Sequence, residues 1–197
     1  MSYYGSDIKL IITNTRKDGG SDWVDFPISK HGFQKLRELN IRGRHYEVSG
    51  ASFVKCYKAC EILCDTRNLD KINWFARLYY TLSAKGKELF RMISESGCIE
   101  LKTIDDLLLV VANLGNFKQL KNVGTYEELT AYYLYVAPQK SPITPDKDIP
   151  REFYSLVGKQ ISDRFKGGFC DGHYFYLMSP TFKALPEDVP SKYKVRF

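Results

Sequence analysis

Ile8-Lys9-Leu10-Ile11-Ile12-Thr13 is a short β-branched run, followed by the turn residues Asp18-Gly19-Gly20-Ser21 and then by Trp23-Val24-Asp25-Phe26-Pro27. β-Branched and aromatic side chains suit a pleated surface and the glycine pair breaks the chain, so this spacing predicts two strands of a small sheet. Ser29 is placed to cap a helix carrying Phe33, Leu36 and Leu39 on one face. Residues 45–54 then read as a third strand interrupted at Gly50. Residues 1–55 are therefore expected to form a small antiparallel sheet with a helix, ordered ββαβ.

Beyond residue 56 the apolar period changes from two to 3.6. Leu69, Ile72, Ala76 and Tyr79 fall on one stripe, which Phe75, Leu78 and Leu82 widen. A break is expected near Lys85-Gly86-Lys87, then a short amphipathic turn through Leu89, Met92 and Ile93 that Ser96-Gly97 ends. Residues 56–101 thus read as a helical module. Thr103 and Asp106 form a capping box ahead of Ile104, Leu107, Leu108, Val111 and Leu114, and Thr125 with Glu128 repeats the device. The helix that follows would bury Leu129, Tyr132, Tyr133 and Val136 and stop at Pro138. Residues 137–150 hold four prolines and read as a loop, after which a helix from Phe153 to Ile161 and one strand near Phe169 to Met178 complete a mixed unit over 102–197. The fold class is α+β, a chain of small domains.

The 197 residues are 44% hydrophobic and carry 29 Lys plus Arg against 23 Asp plus Glu, a formal charge of +6. That composition excludes a disordered polyampholyte and permits an anionic partner without requiring one. No apolar run approaches the roughly 18 residues that span a bilayer, and Met1-Ser2-Tyr3-Tyr4-Gly5 is not the basic start of a signal segment, so a cytoplasmic protein with no membrane partner is expected. Five cysteines, an odd number, read as reduced thiols.

Catalytic constellations are not apparent. His31, His45 and His173 lie far apart without carboxylate or thiol partners at ligand spacing. Cys56, Cys60 and Cys64 would share a helix face, which suits a metal, yet cysteine also packs as a small apolar residue and a fourth ligand is not evident. Gly167-Gly168 lacks the Lys and Ser/Thr of a phosphate loop. Asp105-Asp106 and Glu127-Glu128 stand in first helical turns, where negative charge suits the helix dipole. Neither catalysis nor a metal or other cofactor is expected. Between Lys30 and Lys58, the basic residues Lys30, Lys35, Arg37, Arg42, Arg44, Lys55 and Lys58 interleave with Phe33, His45, Tyr46, Phe53 and Tyr57. Point charges position a phosphate backbone and aromatic faces stack on bases, so this stretch is the candidate nucleic-acid contact; a solvated helix face with core aromatics would use the same residues.

The order of motifs carries a family resemblance. Trp23-Val24-Asp25-Phe26-Pro27 precedes Leu69-Asp70-Lys71-Ile72-Asn73-Trp74-Phe75-Ala76-Arg77-Leu78. Then come Ile104-Asp105-Asp106-Leu107 through Ala112-Asn113-Leu114, Val123-Gly124 before Glu127-Glu128-Leu129, and the closing Gly158, Gly167-Gly168-Phe169 and Gly172-His173-Tyr174. Together these resemble the ArdA antirestriction family over most of the chain. The resemblance implies an elongated protein of three small domains, homodimeric, that imitates bent duplex DNA and occupies the DNA groove of type I restriction-modification enzymes without catalysis. The matching region would present Glu88, Glu95, Glu100, Asp105, Asp106, Glu127 and Glu128 in place of phosphates, against Arg91, Lys102, Lys118 and Lys121 over the same stretch. The overall charge of +6 departs from the strongly acidic family pattern. The expected partner is a host restriction enzyme or another defence nuclease complex. The alternative is direct contact with nucleic acid, or inhibition of a CRISPR-Cas effector, on the same scaffold.

Overall fold

A computed structural model describes residues 7–17, 19–41, 45–53, 56–140, 148–179 and 181–195. It is an α+β structure with two small antiparallel sheets of three strands each. The chain separates into two compact units: Met1–Glu88 with Leu101–Ala112 and Lys183–Phe197, and Leu89–Glu100 with Asn113–Phe182. The sequence reading divides the chain after residues 55 and 101, and the packing divides it elsewhere for a physical reason. A three-stranded sheet with one apolar face needs cover, and the helices that follow residue 56 supply it.

In the first unit, β1 (Ile8–Asn14) lies between β2 (Ser21–Phe26) and β3 (Tyr46–Phe53), antiparallel to both. Ile8, Leu10, Ile12 and Asn14 point inward, the alternation of a strand with one covered face. Opposite β1, Ile11 pairs with Gly50 and Ile12 with Val48, so Ser49 is an extra residue. β3 is therefore one continuous strand with a bulge beside Gly50, where an interruption was expected. α1 (Lys30–Glu38) starts at Ser29, whose hydroxyl accepts the Gly32 N–H at 3.1 Å. α2 (Tyr57–Asp65) packs on β3 and α3 (Leu69–Tyr80) on β2. The Tyr46 hydroxyl ties sheet to helices, donating to Arg67 O at 2.8 Å and accepting from Leu69 N at 3.2 Å.

α4 (Ala84–Ser96) has no break at Lys85-Gly86-Lys87. The break falls at 81–83, because Ser83 Oγ accepts the Gly86 N–H at 3.2 Å and its carbonyl accepts Lys87 N–H at 2.9 Å, which starts the helix before those residues. Gly97, at φ +74°, ends it. α5 (Ile104–Ala112) packs on α3 and begins at the expected capping box: Thr103 N–H donates to the Asp106 carboxylate at 2.8 Å, and Asp106 N–H to Thr103 Oγ1 at 3.4 Å.

The second unit holds the sheet β4 (Phe117–Leu120), β6 (His173–Leu177) and β5 (Gly168–Cys170), in that spatial order. The single strand expected from Phe169 to Met178 is instead a hairpin. Asp171 and Gly172 take φ +49° and +72°, which reverses the chain in two residues. α6 (Tyr126–Ala131) starts at Thr125, and the Glu128 carboxylate reaches back to Gly124 N–H at 2.6 Å. It runs into a π-turn over Tyr132–Val136, closed by Ala137 N–H to Tyr132 O at 2.9 Å. The wider turn rotates the buried face, so Tyr133, Leu134 and Ala137 are inside while Val136 is 69% exposed, against expectation. α7 (Tyr154–Phe165) packs closely on α6, where a Cβ at Gly158 would fall 1.9 Å from Tyr126 O. Leu120, Val123, Leu129, Tyr133, Ile161 and Tyr174 form the core here. Within the proline-rich stretch, residues 138–140 make a short 3-10 turn and residues 141–147 lie outside the described residues. No helix among the described residues is long and apolar enough to cross a membrane.

Candidate functional site

The first unit carries a cavity of about 570 Å³ beside α1 and α3. Its construction starts on α3, whose positions 70, 73, 74 and 77 share a face opposite the apolar stripe. Asn73 is buried there. Its Oδ1 accepts Ile28 N–H at 2.9 Å and its Nδ2 donates to Tyr193 O at 2.7 Å, joining the corner after Pro27 to the C-terminal segment. Asp70 accepts Val195 N–H at 2.5 Å, and the Trp74 indole stacks on Tyr193 at 5.9 Å with planes 15° apart. Residues 191–195 are thus strapped along the helix. With Tyr193 held against Trp74, its neighbours Lys192 and Lys194 line the cavity together with Lys30, Arg37 and Arg77.

Five exposed cations therefore line one cavity, and among the described residues no carboxylate lines it with them. Among the described residues none of the five forms an ion pair, whereas Lys9, Lys35, Lys58, Lys71 and Lys87 of the same unit meet Asp25, Asp22, Glu61, Asp105 and Asp7 at 2.6 to 3.8 Å. Ser29 and Lys30 place the start of α1 at the rim; Ser29 takes the Gly32 N–H, and with no acidic residue in the first turn the positive end of the helix dipole adds to the potential there. Two aromatics lie within reach: Arg37 stands 5.8 Å from the Phe33 ring centre, and Lys192 Nζ 4.8 Å from that of Tyr193. Among the described residues, the lining offers positive charge and the Phe33 ring.

The basic stretch read from sequence divides accordingly. Lys30 and Arg37 line the cavity; Lys35 is held by Asp22 and Trp23 O, and Lys58 by Glu61. Arg42, Arg44 and Lys55 lie outside the described residues. Lys192 and Lys194 were missed because they join the others only through the strap, and Arg77 because it stands on α3, where Asp70, Asn73, Trp74 and Arg77 at helical spacing marked a second face.

The carboxylates of the matching region are divided between the units: Glu88, Asp105 and Asp106 in the first, Glu95, Glu100, Glu127 and Glu128 in the second. All but Asp106 are exposed. Asp105 is paired with Lys71, and Asp106 and Glu128 are engaged with backbone N–H groups at helix starts. Hydrogen bonds from its own backbone N–H, then from Ser155 and Thr125, hold the Glu127 carboxyl below its usual range.

The cysteines are free thiols. Cys60 Sγ accepts Phe53 N–H at 3.2 Å, Cys56 is buried, and burial, with Cys60 and Asp65 adding to it, pushes the Cys64 thiol up. No group of His, Cys, Asp or Glu among the described residues is arranged to hold a metal ion. His31 and His45 are exposed, and His173 Nδ1 accepts Asn122 N–H at 3.1 Å. No protein-family model matches the chain, and no curated protein sequence does.

Proposed function

We propose that the chain is a non-enzymatic anti-defence protein on a scaffold resembling ArdA, which inhibits a host type I restriction-modification enzyme by occupying the protein surface that grips DNA. The observation that supports this reading most is the meeting of two resembling motifs. Asn73 of Leu69-Asp70-Lys71-Ile72-Asn73 hydrogen-bonds Ile28 N–H, next to Pro27 of Trp23-Val24-Asp25-Phe26-Pro27. Motifs that brace each other are the kind a shared scaffold retains. Exposed Glu88, Glu95, Glu100 and Glu127 supply carboxylates that can receive Lys and Arg contacts in place of phosphates. The test is cleavage of a plasmid by a purified type I restriction enzyme as this protein is added. The expected result is inhibition that rising duplex concentration relieves and that weakens in the variant Glu95→Gln, Glu100→Gln, Glu127→Gln. Undiminished cleavage at a large molar excess overturns the reading.

A second reading, direct contact with nucleic acid, draws support from the cation-lined cavity of the first unit. Here the inhibited machinery, a restriction enzyme or a CRISPR-Cas effector, would be met through its nucleic acid. The five unpaired cations favour this reading and the exposed carboxylates favour the first.

A further inference from the structure

We propose that the cavity between α1, α3 and the strap of residues 191–195 is a binding groove for the phosphodiester backbone of nucleic acid, held by Lys30, Arg37, Arg77, Lys192 and Lys194. This rests on the second reading above and gives it a site. Contrast within one unit carries the argument. Five lysines elsewhere in the unit, Lys9, Lys35, Lys58, Lys71 and Lys87, have carboxylate partners, whereas among the described residues no carboxylate lines this cavity. Like charges lining one cavity repel one another, and a bound anion relieves that repulsion.

The rim also brings the start of α1, whose N–H groups favour phosphate oxygens. The cations come from three separate elements, α1, α3 and the strap. A polymer with a charge at every repeat can meet cations carried on several elements at once. Phe33 lines the cavity beside Arg37 and offers an aromatic ring on which a base can stack near the gripped backbone. The strap is part of the site, because Asn73, Asp70 and Trp74 hold the segment that supplies two of the five cations.

The experiment is fluorescence anisotropy of the full chain with a labelled single strand and the matching duplex, across a salt series. If all five cations meet phosphates, affinity falls about 500-fold for duplex and about 100-fold for single strand between about 50 and 200 mM salt. The variant Arg77→Gln, Lys192→Gln, Lys194→Gln removes three exposed charges without touching Asn73 or Trp74. It should weaken binding more than about tenfold and cut the duplex salt slope from about −4.5 to about −1.8. A control, Lys118→Gln, Lys121→Gln, Lys159→Gln, removes the same charge from exposed positions of the second unit and should bind like wild type. Equal loss in both variants overturns the groove while leaving nucleic-acid contact standing. No binding at low salt overturns both. Displacement of the strand by inorganic phosphate at matched ionic strength, or tighter binding of polyglutamate than of either oligonucleotide, also overturns the assignment of a nucleic-acid backbone.

Discussion

The two sheets make an instructive pair. Each has three antiparallel strands, yet the first uses strands of 6 to 8 residues with an aliphatic centre, and the second uses strands of 3 to 5 residues with Phe and Tyr. Long aliphatic strands hold their register through alternation along their length. Short strands cannot, and the second unit relies on close backbone approach at glycines instead. A Cβ on Gly158 would meet Tyr126 O at 1.9 Å, one on Gly168 would meet Ser96 O at 1.9 Å, and one on Gly167 the Tyr174 hydroxyl at 2.0 Å. Among the described residues of the first unit such a backbone approach occurs in the β1–β2 turn, where a Cβ on Gly19 would meet Asn14 O at 2.1 Å, while the glycine inside a strand, Gly50, would bring its Cβ within 2.9 Å of Ile11 Cδ1, the free end of a side chain that can turn away.

This difference predicts that Gly158→Ala costs about 3 kcal/mol or more, because the obstacle is backbone and one helix must shift. Gly50→Ala should stay within about 1 kcal/mol of wild type, the strand gain from alanine offsetting a displaced Ile11. Urea unfolding followed by far-UV circular dichroism measures both, while Trp23 and Trp74, the chain's two tryptophans, report on the first unit alone. If Gly158→Ala moves the tryptophan transition as far as the dichroism transition, the units unfold together and the contrast in glycine tolerance is a property of the whole molecule.

Asn73→Ala tests the first unit from inside. It leaves the buried Ile28 N–H and the Tyr193 carbonyl without their partner and should cost about 2 kcal/mol. Asn73→Asp keeps the acceptor for Ile28 and loses the donor to Tyr193, so it separates the two bonds. Because Trp74 stacks on Tyr193, a red-shifted tryptophan emission in the folded variant would show that the strap has come away.

The smallest effect is expected at the hairpin turn of the second unit, where Arg91 pairs with Asp171. The hydrogen bond from Arg91, and then its charge, hold the Asp171 carboxyl below its ordinary value of 3.8. A lowered folded value stabilises the protein above the unfolded value and loses that contribution as pH falls through the folded one. Asp171→Asn keeps a residue that tolerates φ +49° and removes the charge. Its melting temperature should lie slightly below wild type at neutral pH and converge with it well below pH 3.8. A difference that persists in strong acid would assign the effect to the turn and not to the ion pair.

Legibility followed the length of the signal. β1, the Ser29 cap, the stripe of α3 and the capping box at Thr103 were readable because each rests on several residues at a regular spacing. β4 was missed because four residues, Phe117 to Leu120, carry too little alternation to stand out. The β5–β6 hairpin had a signal, Asp171-Gly172 between aromatic runs, that a single-strand reading absorbed. The π-turn left no mark in the apolar pattern, so Val136 was placed inside by extending the period of α6 one turn too far. Of the groove, Lys30 and Arg37 were legible as part of a basic stretch. Lys192 and Lys194 were not, since the hydrogen bond that brings Tyr193 to Asn73 spans 120 residues.

By itself, then, the sequence determined the α+β class, the ββαβ opening and the places where helices begin, because propensity, capping and periodicity act between residues a few positions apart. Only the tertiary structure decided which cations are neutralised, which stand together and how the chain divides into units. Those outcomes depend on through-space distances between residues far apart in the chain, such as Lys87 and Asp7 or Tyr193 and Asn73, and no local pattern encodes them.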